Sequence, residues 1–204
     1  MTIAALFVES QGVYFGMPDL EPWSPPRDAR DYAGPHPVIA HPPCERWGRF
    51  WHGSPRKPHQ YDLGDDSGCF DAALRSLRNY GGVLEHPAQS KAWDKFDLPK
   101  PRERGWARDL FSNLWSCEVD QYHYGHDARK PTWLLYCGDG PPELVWGRAP
   151  QQIPEWMIER YGYARARKYG VISMIGGKHK KAIRERTPIG FRDLLISLVA
   201  PLAQ

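Results

Sequence analysis

PVIAHPPCERWGRFW, residues 37–51, is the stretch whose reading decides the fold. Val38, Ile39 and Ala40 make a brief apolar run bounded by prolines, which suits the end of a short buried strand. Pro42 and Pro43 lack an N–H and have a fixed φ, so neither can extend a β ladder. The chain must leave the sheet there, with Cys44 held stiffly at the strand's carboxyl end. In open α/β sheets that edge is where ligands and reacting groups gather. A half-buried cysteine without chemistry is the plain alternative.

Working outward, VLEHP (residues 83–87) repeats the pattern of strand, charged residue and proline. Between the two stretches, Asp66 or Ser67 can cap a helix through Tyr80, because Phe70, Ala73, Leu74 and Leu77 share one helical face. Gly81 and Gly82 end that helix. IAALFV (3–8) reads as a first buried strand, followed by loop to Pro37 with at most a short helix near RDARDYAG (27–34). Residues 47–64 have no clear period and read as loop. CEVDQ (117–121) and WLLYC (133–137) read as further strands flanking the loop YHYGHDARKPT. Thr187 caps, and Pro188 begins, a last helix with Phe191, Leu194, Leu195, Leu198 and Leu202 on its face. Strands alternating with helices predict an α/β layer with a largely parallel sheet. The 204 residues fit one domain with a real core. Within it, 1–137 form the α/β core, 138–186 a small basic, aromatic, loop-rich region, and 187–204 a helix packing on the core.

Charge narrows the classes further. The net charge is only +3, yet Arg160, Arg165, Arg167, Lys168, Lys178, Lys180, Lys181, Arg184 and Arg186 cluster near one another, with Tyr161, Tyr163 and Tyr169 interleaved. Such a stretch can neutralise phosphates and stack on bases; a solvated basic face is the alternative. Cys44, Cys69, Cys117 and Cys137 lie far apart with no CxxC pair, so neither a disulfide framework nor a zinc site has spacing support. MTIAALFVES has no basic leader and too short an apolar run for a membrane span. An intracellular, cytoplasmic location, with no membrane partner, is the expectation.

If the two strand–proline stretches are parallel neighbours, the right-handed crossover brings Cys44 and Glu85 to the same edge. A thiol and a carboxylate facing one cleft suit a nucleophile and a proton donor. Glu85 as a cap or an arginine partner is the competing role. His41, His52 and His59 are candidates to line that cleft and lower the Cys44 pKa, or are loop histidines. Trp47 and Trp51 either stack on a base or lie buried under a loop. His123 and His126 follow no metal-ligand spacing, and no metal is expected.

HPPC, then LEHP after a helix, then YGHDARKPTWLLYCG resemble, in that order, the motifs of DNA cytosine-5 methyltransferases. In that family a Pro-Cys turn supplies the nucleophile and a Glu-Asn-Val strand end the acidic residue. The resemblance implies a Rossmann-like methyltransferase layer in which Cys44 attacks carbon 6 of a flipped cytosine. Glu85 would hold and protonate the ring, and carbon 5 would take a methyl group from S-adenosylmethionine. LFVESQG resembles the family's cofactor loop, implying cofactor contacts from Phe7, Glu9 and Gly12. Asp28, in PPRDARDY, stands near the expected ribose position. Glu9 and Gln11 replace glycines there, so their side chains are expected to crowd the cofactor. HPPC lacks the usual glycine before its prolines, His86 stands where asparagine is usual, and ARKPT lacks the glutamine and paired arginines. Arg129, Lys130, Lys178, Lys180 and Lys181 are the expected DNA contacts. The short chain is similar to methylase-like proteins of phages and prophages. A Cys-dependent pyrimidine enzyme with another one-carbon donor, or a DNA-binding protein without methyl transfer, are the other readings.

Overall fold

The computed structural model describes residues 2–53, 59–150, 152–171 and 180–203. The elements run β1 (Ile3–Leu6), β2 (Leu20–Trp23), β3 (Val38–Ala40), α1 (Cys69–Tyr80), β4 (Gly82–Pro87), α2 (Ala92–Lys95), β5 (Ala107–Arg108), β6 (Leu114–Asp120) and β7 (Pro131–Cys137). Helices α3 (Glu155–Tyr161), α4 (Tyr163–Val171), α5 (Lys180–Glu185) and α6 (Ile189–Val199) follow. The seven strands form a single sheet in the order β2-β1-β3-β4-β7-β6-β5.

The class is α/β, with a mixed sheet. Strands β2, β1, β3 and β4 are mutually parallel, whereas β7 runs antiparallel to both β4 and β6, and β5 antiparallel to β6. The expected parallel character therefore holds for the first half of the sheet. The β6–β7 connection is short enough to return directly, which gives an antiparallel pair rather than a crossover. Leu20–Trp23, expected as loop, adds a parallel edge strand beside β1; its two-proline surroundings hid it, and an edge position tolerates them. The region 138–186, expected to be loop-rich, contains the helices α3, α4 and α5.

Side-chain alternation along the strands builds two cores. Ala4, Leu6, Val38, Ala40 and Leu84 pack under Phe70, Ala73, Leu74 and Leu77 of α1. Ile3, Ala5, Ile39 and Val83 pack instead under Phe191, Leu195, Leu198 and Val199 of α6. These strands are apolar on both faces because each face carries a helix. Burying Phe70 or Leu74 completely contributes about 2–3 kcal/mol each before entropy is counted. Helix α1 starts after Gly68 (φ 77°), while Asp66 accepts from the Phe70 N–H at 2.9 Å, so the expected cap acts from one turn earlier. At α6 the capping position is Pro188 rather than Thr187. No described helix is long and apolar enough to cross a membrane.

Gly82 opens β4 at φ 125°, where an added Cβ would strike the Val38 carbonyl of the neighbouring strand. Gly82→Ala is expected to destabilise the fold by about 3 kcal/mol or more, through strain and forced separation of β3 and β4. Urea unfolding of the variant against the wild type measures it.

Candidate functional site

The carboxyl ends of β1, β3, β4 and β6 lie along one edge of the sheet, and β7 begins there, with Asp120 opposite Pro131 and Pro87 opposite Thr132. His41 leaves β3 with its N–H on the Leu6 carbonyl at 3.0 Å. Buried Pro42 and exposed Pro43 then turn the chain. The Cys44 carbonyl accepts from Trp47 and Gly48 N–H groups at 3.1 and 3.2 Å, fixing a tight turn with the thiol half-buried.

Glu85 sits at this edge, nine-tenths buried. Its Oε2 lies 3.0 Å from His41 Nδ1, and its Oε1 accepts from Gln121 Nε2 at 3.2 Å. The row extends both ways. The Tyr14 hydroxyl lies 2.8 Å from His41 Nε2, and Gln121 Nε2 also donates to Thr132 Oγ1 at 2.9 Å. Turning the Gln121 amide over would set its oxygen against the Glu85 carboxylate, so the donor orientation is fixed by charge. Gln121 Oε1 is then left buried and without a hydrogen-bond partner.

Burial pushes the Glu85 carboxyl up, but the His41 hydrogen bond and the Lys130 and His41 charges outweigh it and hold it at about 2. Glu85 is thus a carboxylate at neutral pH, not the free acid that a ready proton donor would be. Burial raises the Cys44 thiol, the Glu85 charge raises it further, and the Arg184 and Lys130 charges pull the other way. Cys44 and Glu85 therefore share one electrostatic neighbourhood, as expected from the paired strand ends. The Cys44 thiol is protonated at rest, because burial and the Glu85 charge outweigh the pull of Arg184 and Lys130; of the three candidate histidines, His41 is the one that stands in this row.

The other sequence candidates divide. His52 and His59 stack on each other with ring centroids 5.9 Å apart. Trp47 is buried, its indole N–H on Asp66 at 2.8 Å, so it supports α1 rather than meeting a base. His86 points to the opposite face from Glu85, as the two-residue period of a strand demands, and lies edge-on to Phe70 at 5.3 Å. Neither of its ring nitrogens has a hydrogen-bond partner, and burial drives it down to about 4 against the opposing pull of the Glu85 charge. His123 and His126 are taken up by the carbonyls of Gly147 and Ala128. Lys130 and Arg129 are half-buried beside the edge, with Arg129 Nε lacking a partner. Lys178 lies outside the described residues, and only the backbone of Lys180 and Lys181 is described. Tyr14, Gln121 and Thr132 were missed, Gln121 alone carrying a signal at the end of a predicted strand; Arg184, one of the basic stretch in the sequence, acts electrostatically on Cys44.

A cavity of about 410 Å³ opens on the α1 side of the same edge, lined among others by Phe7, Trp23, Asp28, Arg30, Ser67 and Cys69. Arg27 lies over the Trp23 ring at 3.6 Å. The Arg30 side chain clasps Asp28, holding that carboxyl down at about 2. The loop above has Phe7 at φ 58° and Gln11 at φ 61°. The left-handed turns that glycines usually supply are made here by larger residues. Glu9 and Gln11 are exposed and do not line the cavity. A Cβ at Gly12 would stand 3.0 Å from the Glu9 carbonyl, a tight contact that the turn would have to shift slightly to take.

Comparison with protein-family models and with curated protein sequences finds no match to this chain.

Both buried groups on β4 make stability acid-sensitive. His86 has its folded pKa lowered from 6.5, so its contribution is complete above pH 6.5 and is lost as pH falls towards about 4. Glu85, lowered from 4.5, loses its contribution as pH falls on to about 2. His86→Asn is expected to remove about 3 kcal/mol of the wild-type loss between pH 7 and pH 4. Glu85→Gln should flatten the loss that sets in below about pH 4.5 and keep most of the His86 loss above it. Urea unfolding at a series of pH values reads both.

Proposed function

We propose that the chain is a DNA base-modifying enzyme of the cytosine-5 methyltransferase type, acting through a covalent bond from Cys44 to a base turned out of the stack. The observation that carries this reading is the shared neighbourhood of Cys44 and Glu85 at one sheet edge, with Glu85 fully hydrogen-bonded and oriented. The sheet order, with its reversed strand beside β4, is compatible with a Rossmann-like methyltransferase layer.

The electrostatics suit an addition reaction that starts only when a base is present. A ring protonated at nitrogen 3 beside the Glu85 carboxylate offsets the charge that raises Cys44. The thiol then releases its proton to solvent more readily, and Arg184 and Lys130 favour the thiolate. Sγ bonds to carbon 6, the carbon 5–carbon 6 π pair moves to the carbon 4–carbon 5 bond, and the carbon 4–nitrogen 3 π pair moves onto nitrogen 3, which keeps its proton. Gln121 Oε1, buried and unpaired, is an acceptor suited to an exocyclic amino group.

The cavity residues fit S-adenosylmethionine. Phe7 offers a flat apolar wall for an adenine, with Trp23 and the Arg27 stacked on it beside that wall, and ionised Asp28 offers acceptors for ribose hydroxyls. When bound there, the cofactor supplies the methyl group for carbon 5. Phe7, Trp23 and Asp28 would hold it.

The DNA partner is supported by α4, which buries Ala166 against Met157 while Arg165, Arg167 and Lys168 are exposed. Reversing these three to glutamate should lower DNA affinity at low salt about tenfold or more and reduce the salt dependence by about one phosphate contact per lost charge. Unchanged binding would make this a solvated face only.

The resting protonation of Cys44 favours a second reading, a methylase-like DNA binder without methyl transfer. An oligonucleotide containing 5-fluorocytosine, incubated with protein and S-adenosylmethionine, separates the two. A denaturation-resistant adduct, absent in Cys44→Ser and at least tenfold slower in Glu85→Gln, is expected. DNA binding with no adduct at any pH would leave the binder.

A further inference from the structure

The family resemblance gives the site two reacting side chains, yet the structure surrounds Glu85 with a third titratable group and a fourth. His41 occupies the position where the chain departs from the usual glycine before the prolines. By strand period it falls on the same sheet face as Ile39, the face that α6 covers, and Glu85 falls there beside Val83. Tyr14, which is 3 % exposed, belongs to that same core. Its loop is clamped from α6, where Arg192 donates to the Val13 carbonyl at 3.0 Å. Tyr14 hydroxyl, His41 imidazole and Glu85 carboxylate thus form one row at 2.8 and 3.0 Å, held at both ends by the fold.

We propose that His41, steadied by Tyr14, is the proton store of the site, and that Glu85 passes a proton from His41 Nδ1 to the substrate base. The proposal rests on the base-modification reading for its substrate. Its chemistry follows from which atoms have protons to give. When His41 is neutral, the Tyr14 hydroxyl donates to Nε2 and Nδ1–H donates to Glu85. No proton is spare in that state, because moving the Nδ1 proton would require Tyr14 to ionise, and burial opposes that. With a second proton on Nε2, directed at the Tyr14 oxygen, Nδ1–H can pass to Glu85 Oε2 and leave a neutral imidazole. Glu85 then gives its proton to ring nitrogen 3 as Sγ of Cys44 adds to carbon 6, and the proton returns along the same row when the adduct breaks down. His41 acts through Glu85 and is a positioning and proton-supplying residue rather than one that touches the base. The charged and titratable groups around the row are Glu85 and His86 from β4, Lys130 ahead of β7, Cys44 on the turn, and Arg192 and Asp193 from α6.

The test combines two readouts on the full chain. Nitrogen-15 NMR of the histidine side chains, in the wild type, Tyr14→Phe and Glu85→Gln, reports the tautomer and protonation midpoint of His41. The rate of adduct formation with 5-fluorocytosine DNA is measured from pH 5 to 9. The expected neutral tautomer carries its proton on Nδ1, the nitrogen that faces Glu85 Oε2, and the Nδ1 signal changes in Glu85→Gln, where an amide replaces the carboxylate acceptor. The wild-type adduct rate should rise about tenfold per pH unit as Cys44 ionises, then level at the His41 midpoint as the stored proton is lost. Tyr14→Phe should move the midpoint and the break together, and His41→Gln should give a slower rate that climbs without a break. A merely structural role would slow the reaction without changing the shape of its profile. A neutral His41 protonated on Nε2, or a wild-type rate that climbs through the midpoint, overturns the proposal. No adduct at any pH, with His41 behaving as stated in the NMR, sinks the base-modification reading and leaves the proton on His41 upheld.

Discussion

A carboxylate with little access to water is the constraint around which this molecule's working edge is arranged. An ion of that size loses several kcal/mol of hydration on burial and stays charged only if neighbours replace the water. Glu85 has His41 on one oxygen and Gln121 on the other, with the Lys130 charge close by. Each partner comes from a different segment: the turn after β3 and the loop between β6 and β7. Tyr14 and Thr132 satisfy the partners in turn. The loops at this edge are therefore tied together by one negative charge, and removing it leaves their polar groups without a common acceptor.

The sheet separates the chemistry into two compartments. On the α6 face lie Tyr14, His41 and Glu85; on the α1 face lie the aromatic core of Trp47, Phe70 and Trp93 and the cavity beside Trp23. Successive residues of β4 illustrate the division, since Glu85 joins the polar row and His86 is stacked among aromatics without a hydrogen bond. The Phe7–Tyr14 loop crosses from one compartment to the other. Its first residue lines the cavity and its last grips His41, and it holds left-handed turns at Phe7 and Gln11 that cost free energy unless the surroundings enforce them.

Cys44 and Glu85 restrain one another. The buried carboxylate discourages a second negative charge on the thiol, so the site at rest has one anion rather than two.

The apolar run before Pro42 and Pro43 determined by itself that a strand ends there, because proline cannot pair, and the helical face of Phe70, Ala73, Leu74 and Leu77 determined α1. Together with the short-range rule on crossovers they were enough to bring Cys44 and Glu85 to one edge. The antiparallel half of the sheet was not legible, since a strand's own pattern does not state its direction; the short loop between β6 and β7 decided it. Nor was β2, whose glutamate and proline hide a strand that only pairing with β1 stabilises. Three short helices in the basic region likewise lacked a sustained apolar stripe. The row from Tyr14 to Thr132 was decided entirely by tertiary structure. Its members come from five segments up to 118 positions apart, and hydrogen bonds between such residues depend on which loops the sheet edge brings together, a matter no local pattern encodes.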